Sequence, residues 1–106
     1  MKMNEVDLQD LIRIYSESLE LKANTVLRAR KLCREAEDNF LLSGKKLEGS
    51  AAAIVYIAGI LENDRKSQKE IAQVVSVPES TIRNRYLAIA RGLALKKDWS
   101  VSSFFQ

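Results

Sequence analysis

Apolar positions recur along this chain with helical spacing, and four segments show it. Leu8, Leu11, Ile12, Tyr15 and Leu19 fall at i, i+3, i+4, i+7 and i+11, which lines one face of a helix. Asn4 is the expected N-cap, with Glu5 and Asp7 in the positive first turn. A second helix is expected from near Asn24, with Val26, Ala29, Cys33, Ala36 and Phe40 turned inward. Ser43-Gly44 should close it, because glycine takes a left-handed C-terminal turn at least cost. The fourth helix is announced by Ser67 and Glu70, a capping-box pair, with Ile71, Ala72, Val74 and Val75 as its apolar cover. Ser76-Val77-Pro78 interrupts it, and Pro78 suits the first turn of a new helix, where its missing amide proton has no partner to lose. The fifth helix then points Ile82, Tyr86, Ile89 and Leu93 inward and frays near Gly92 and Lys96-Lys97-Asp98.

The third segment differs in kind. Behind Ser50, a plausible cap, Ala51 to Leu61 has no polar face at all. A helix of three turns that is apolar all round is one covered by neighbours on every side. The alanines favour this central helix over a buried strand. The expectation is therefore an all-α domain of five helices over residues 4–95, followed by a tail, 96–106, whose hydrophobes keep no period.

Composition narrows the chemistry. With one proline and four glycines among 106 residues, long helices are favoured over strand-and-turn architectures. There is no histidine and a single cysteine, Cys33, which removes intrachain disulfides and nearly all zinc-ligand sets. Cys33 falls on an apolar stripe and reads as a small buried hydrophobe. Scattered carboxylates offer no acid, base and nucleophile in one constellation, so neither an enzyme nor a cofactor is expected. The longest apolar run falls short of the ~20 residues that span a bilayer, and no signal-peptide pattern opens the chain, so an intracellular protein is expected.

Charge supplies a direction. The net charge is +3, but residues 1–64 carry nine basic and eleven acidic side chains, whereas residues 65–106 carry eight basic and three acidic ones. A polyanion would meet the C-terminal half. That half holds two short helices joined by three or four residues, a helix-turn-helix over residues 67–92. In such a pair the second helix presents its N-terminal residues to the DNA major groove. The inward set leaves Glu79, Ser80, Arg83, Asn84 and Leu87 facing outward. Arg83 is the best-suited base reader, since a guanidinium donates two bonds to guanine O6 and N7, with Ser80 and Asn84 beside it. Arg65, Lys66, Lys69, Arg85 and Arg91 are placed for phosphates, where affinity is sequence-independent and salt-sensitive.

GSAAAIVYIAGIL followed by SQKEIAQVVSVPESTIRNRYLAI closely resembles the cyclin-like repeat of transcription factor IIB and, most of all, of its archaeal counterpart. The motifs that carry it are Ala51, Ala52, Ala53, Tyr56 and Ala58, then Gln68, Lys69, Glu70, Ile71 and Ala72, then Thr81, Ile82, Arg83 and Tyr86. The resemblance covers roughly residues 5–95 and is strongest to the second, C-terminal repeat of that factor. It implies a five-helix cyclin-like fold. It also implies contact with promoter DNA upstream of the TATA box, in a complex with TATA-binding protein that serves RNA polymerase. Two positions depart from the family pattern: Ser80 stands where valine is common, which bears on sequence preference, and Ser76 where glycine is common. The zinc ribbon, polymerase-cleft linker and first repeat of the factor have no counterpart in these 106 residues. An excised domain and a natural single-repeat regulator both fit, as does a protein-interaction adaptor using an apolar groove around Leu87 or Phe104-Phe105.

Overall fold

The computed structural model describes residues 6–95, which form five α-helices and no strand. They are α1 (Leu8–Ser18), α2 (Ala23–Asp38), α3 (Leu47–Leu61), α4 (Gln68–Val75) and α5 (Glu79–Gly92). This is the all-α cyclin-like arrangement expected from the repeat. The third helix is central: every residue from Gly49 to Ile60 is buried, and α1, α2, α4 and α5 all pack on it. Its small residues make that possible. A Cβ on Gly49 would stand 3.0 Å from the Thr81 methyl of α5, and one on Gly59 would stand 2.8 Å from the Asp64 carbonyl oxygen.

Inward faces follow the apolar spacing. Leu8, Ile12, Tyr15 and Leu19 are buried along α1, Ala29, Cys33 and Ala36 along α2, and Ile82, Tyr86 and Ile89 along α5. Burial pushes the Cys33 thiol up to about 12, with the Glu37 carboxylate adding to it. Cys33 is a packed hydrophobe, not a nucleophile.

Helix ends correct the sequence reading. Asn4 lies outside the described residues, and α1 is instead capped by Asp7. The Asp7 carboxylate accepts from the Asp10 amide at 2.9 Å, and the Asp10 carboxylate accepts from the Asp7 amide at 3.2 Å. α3 starts at Leu47, so Ser50 is a buried residue of its second turn and not a cap. Val74 of α4, expected as apolar cover, is 46% exposed. α2 stops at Asp38, before Ser43-Gly44, and Phe40 is outside the helix and 80% exposed instead of on the inner face.

The reason lies in how these helices terminate. Glu20, Phe40, Asn63, Ser76 and Ala94 all have φ between +53° and +58°, so each helix ends in a left-handed residue that is not glycine. After α2, for example, the Leu41 amide donates back to the Ala36 carbonyl at 3.0 Å and the Phe40 amide to the Glu37 carbonyl at 3.0 Å. That pair of bonds defines a Schellman turn. Satisfying buried carbonyls outweighs the ~1–2 kcal/mol that an L side chain costs there.

α2 begins without a side-chain cap of its own. Asp64, from the α3–α4 loop, fills the role. Its carboxylate accepts from the Lys22 amide at 2.8 Å and from the Thr25 hydroxyl at 2.9 Å. Burial alone would raise the Asp64 pKa, but these bonds, with the charges of Lys22 and Lys66, outweigh it and hold the group below its ordinary value. Beside it, Glu62 pairs with Arg28 at 2.7 Å and accepts from the Asn24 amide group at 3.0 Å. The loop that leads into α4 is thus fastened to the start of α2.

Candidate nucleic-acid interface

α4 and α5, joined by Ser76-Val77-Pro78, are the two helices of the stretch expected as a helix-turn-helix, residues 67–92. Ser67 caps α4, its hydroxyl accepting from the Glu70 amide at 3.0 Å; the serine half of the box forms. Ser76 takes the left-handed turn, Val77 is buried as the plug beneath it, and Pro78 is the N-cap of α5 instead of its first-turn residue. The Pro78 carbonyl accepts from the Ile82 amide at 3.1 Å.

Aromatic packing holds this pair to the central helix. The Tyr56 and Tyr86 rings lie 4.7 Å apart, tilted by 54°, within the range where edge-on contacts are favourable. Gln68, 4% exposed, donates to the Tyr56 hydroxyl at 3.4 Å. Burial raises the Tyr86 phenol, reinforced by Tyr56, while Arg83, Arg65 and Gln68 draw it the other way. The guanidinium groups of Arg65 and Arg83 therefore act on one buried phenol, and the first residue of α4, the middle of α3 and the middle of α5 share a polar cluster.

The expected base readers sit together on the first two turns of α5. Ser80 and Asn84 are exposed and Arg83 is half-buried. Among the expected phosphate contacts, Arg65, Lys69 and Arg91 are exposed and Lys66 is half-buried. Arg85 is placed differently: it is half-buried and its Nη2 donates to the Leu41 carbonyl at 3.2 Å, fastening α5 to the α2–α3 loop. Glu79 and Leu87, expected outward, are half-buried, and Leu87 packs against the core.

Two lysines that sequence reasoning passed over complete the face. Lys45, Lys46, Glu48, Gly49, Ser76, Val77, Pro78, Thr81 and Arg85 line a cleft of about 510 Å³. The N-termini of α3 and α5 both open onto it, and neither helix has a side-chain cap bond for its first amides. Helix ends without side-chain caps, their positive dipole ends and the two lysines suit a phosphate oxygen. The signal for it was the Lys45-Lys46 pair ahead of the apolar run. On the other side of the turn, Lys69, Gln73, Ser76, Pro78 and Glu79 border a shallower groove of about 410 Å³. Among the described residues no group of three or more His, Cys, Asp or Glu side chains is placed to hold a metal ion, and no helix is long and apolar enough to cross a membrane.

Fold and site define an all-helical domain built on a buried third helix and ending in a helix-turn-helix flanked by basic residues. Comparison with known proteins places it further. The family model of the transcription factor TFIIB repeat matches residues 1–92, and the chain belongs to that family. It is 36% identical over 96 residues to transcription initiation factor IIB of Methanopyrus kandleri, covering 91% of this chain and 31% of that protein. To the factor of Caldivirga maquilingensis it is 44% identical over 80 residues, 76% of this chain and 24% of that one. To a sequence of the same name from Haloarcula vallismortis it is 40% identical over 86 residues, 81% of this chain and 75% of that one. The chain thus spans about a quarter to a third of the length of the first two relatives.

Proposed function

We propose that this chain is a double-stranded DNA-binding domain of the transcription initiation apparatus, acting by binding and not by catalysis. α5 enters the major groove of promoter DNA upstream of the TATA box. Arg83 donates to a guanine edge, and Ser80 and Asn84 touch neighbouring bases. Arg65, Lys66, Lys69 and Arg91 meet phosphates from one side of the turn, and Lys45 and Lys46 from the other. TATA-binding protein on the adjoining bent DNA is the expected partner, with RNA polymerase recruited to the assembly. Arg85 serves from behind, keeping the Lys45-Lys46 loop against α5.

The observation that carries this reading is the placement of Ser80, Arg83 and Asn84 at the entry end of a helix-turn-helix within a TFIIB repeat. A guanidinium on a half-buried side chain loses less freedom on binding than one on a fully exposed side chain. The test is fluorescence anisotropy of a labelled promoter duplex, with and without TATA-binding protein, against a duplex scrambled only upstream of TATA. The native chain should prefer the intact duplex, and Arg83→Ala should lose about 1–3 kcal/mol of that preference. Equal binding of both duplexes by the native chain, or an unchanged preference in Arg83→Ala, would sink the base-reading role.

A further inference from the structure

Gln68 is the first residue of α4, yet only 4% of it is exposed. Its side chain turns into the domain, where the amide Nε2 donates to the Tyr56 hydroxyl of α3 at 3.4 Å. Tyr56 in turn packs against Tyr86 of α5, the ring centroids 4.7 Å apart, and both tyrosines are fully buried. One amide therefore joins the three helices on which the proposed DNA face is built.

Stability does not account for this amide. A bond of 3.4 Å is long, and it repays little of the cost of taking an amide out of water. A methionine would fill the same space without that cost. Burial also removes Gln68 from the groups available to DNA. What it touches lies next to the expected base reader. Arg83 stands three residues before Tyr86 on α5, a spacing that puts the two side chains on adjoining turns of the helix surface. The Arg83 Nε atom is itself shielded from solvent, and the Tyr86 phenol feels Gln68 and Arg83 together. A shift of the Tyr86 ring thus moves the support of the Arg83 side chain, and the place of that ring is set by Tyr56 and Gln68.

We propose that Gln68 is a positioning residue for base recognition: by holding the Tyr56 hydroxyl it fixes the Tyr86 ring, and through that ring the direction in which the Arg83 side chain leaves α5. This rests on the reading of Arg83 as the base contact. Bidentate recognition of guanine needs two guanidinium donors aligned with the base edge. A tilt of the side chain therefore costs discrimination while leaving the attraction to phosphates intact. Gln68 contributes to selectivity and not to affinity for DNA at large.

The experiment uses the full chain with Gln68→Met, which keeps the length of the side chain and removes its amide, and with Tyr56→Phe, which removes the hydroxyl that the amide reaches. Affinities for the promoter duplex and for the duplex scrambled upstream of TATA are measured with TATA-binding protein present, over a salt series. Each variant should lose about three- to tenfold of the preference for the intact duplex, a part of what one bidentate contact provides. Affinity for the scrambled duplex and its salt slope should not change. In an Arg83→Ala background Gln68→Met should cause no further loss, since the two residues then act as one unit. In the free chain, the Arg83 Nε–H proton followed by NMR should exchange with water faster in Gln68→Met than in the native protein. An equal fall on both duplexes with a lower melting temperature would make Gln68 a structural residue only. An unchanged preference, or a loss that adds to that of Arg83→Ala, would show that it does not act through Arg83; each of these results overturns the proposal. A native chain that prefers neither duplex sinks the base-reading role of Arg83, and the exchange rate then decides on its own whether Gln68 holds Arg83 in place.

Discussion

Gly59 lies where the chain leaves α3 and doubles back, and the space there is set by backbone. A Cβ at this position would be 2.8 Å from the Asp64 carbonyl oxygen and 3.4 Å from the Arg65 Cα, neither of which can rotate aside. Gly59→Ala should therefore destabilise the domain by about 1–3 kcal/mol, read as a lower urea midpoint with unchanged slope; an unchanged midpoint would show that the turn can open at no cost. Gly92 makes a useful contrast, because the atoms a Cβ would meet belong to the end of the Leu41 side chain, which can turn away. These two glycines act through close approach, and that property is invisible in sequence. Gly44, which sequence reading used as a helix stop, has the expected positive φ of +72° but sits six residues past the end of α2. The real stop is Phe40, and no residue preference marks a phenylalanine for a left-handed turn. Arg85 was likewise hidden, since the carbonyl it reaches belongs to Leu41, more than forty residues away in the chain.

At the scale of the element, α2 depends on a cap supplied by another segment. The Asp64 carboxylate is held below its ordinary pKa by the bonds it accepts from Lys22 and Thr25. A lowered folded-state value means that the stabilisation is complete above the unfolded carboxylate's pKa of about 4 and is lost as pH falls through the folded value. Asp64→Ala should cost about 0.5–2 kcal/mol at neutral pH, the usual worth of an N-cap. Its deficit in melting temperature should shrink as both proteins are titrated from pH 6 to pH 3. A deficit constant over that range would mean the carboxylate charge contributes nothing. Helix existence and inward faces were legible because burial follows a 3.6-residue period, most plainly in the all-apolar α3. The cap was not, since it joins residues forty positions apart by a contact no local pattern records.

For the molecule as a whole, the excess of basic over acidic residues after position 64 and the pair of helices joined at Ser76-Val77-Pro78 were both readable in the sequence, and together they mark the region proposed as the face. What folding adds is the second side of it. The Lys45-Lys46 loop comes from the less basic half of the chain, and only packing of α3 against α5, closest at Gly49 and Thr81, brings it beside the turn. The central claim is that DNA lies on this composite face. Its most direct test is an amide chemical-shift map of the isotopically labelled chain, titrated at low salt with a duplex carrying the upstream promoter element. The account predicts perturbations at residues 44–49, 65–69 and 76–84, with the outer positions of α2 from Leu27 to Arg34 unmoved. Perturbations centred on α2, or none along α5 at saturating duplex, would contradict it.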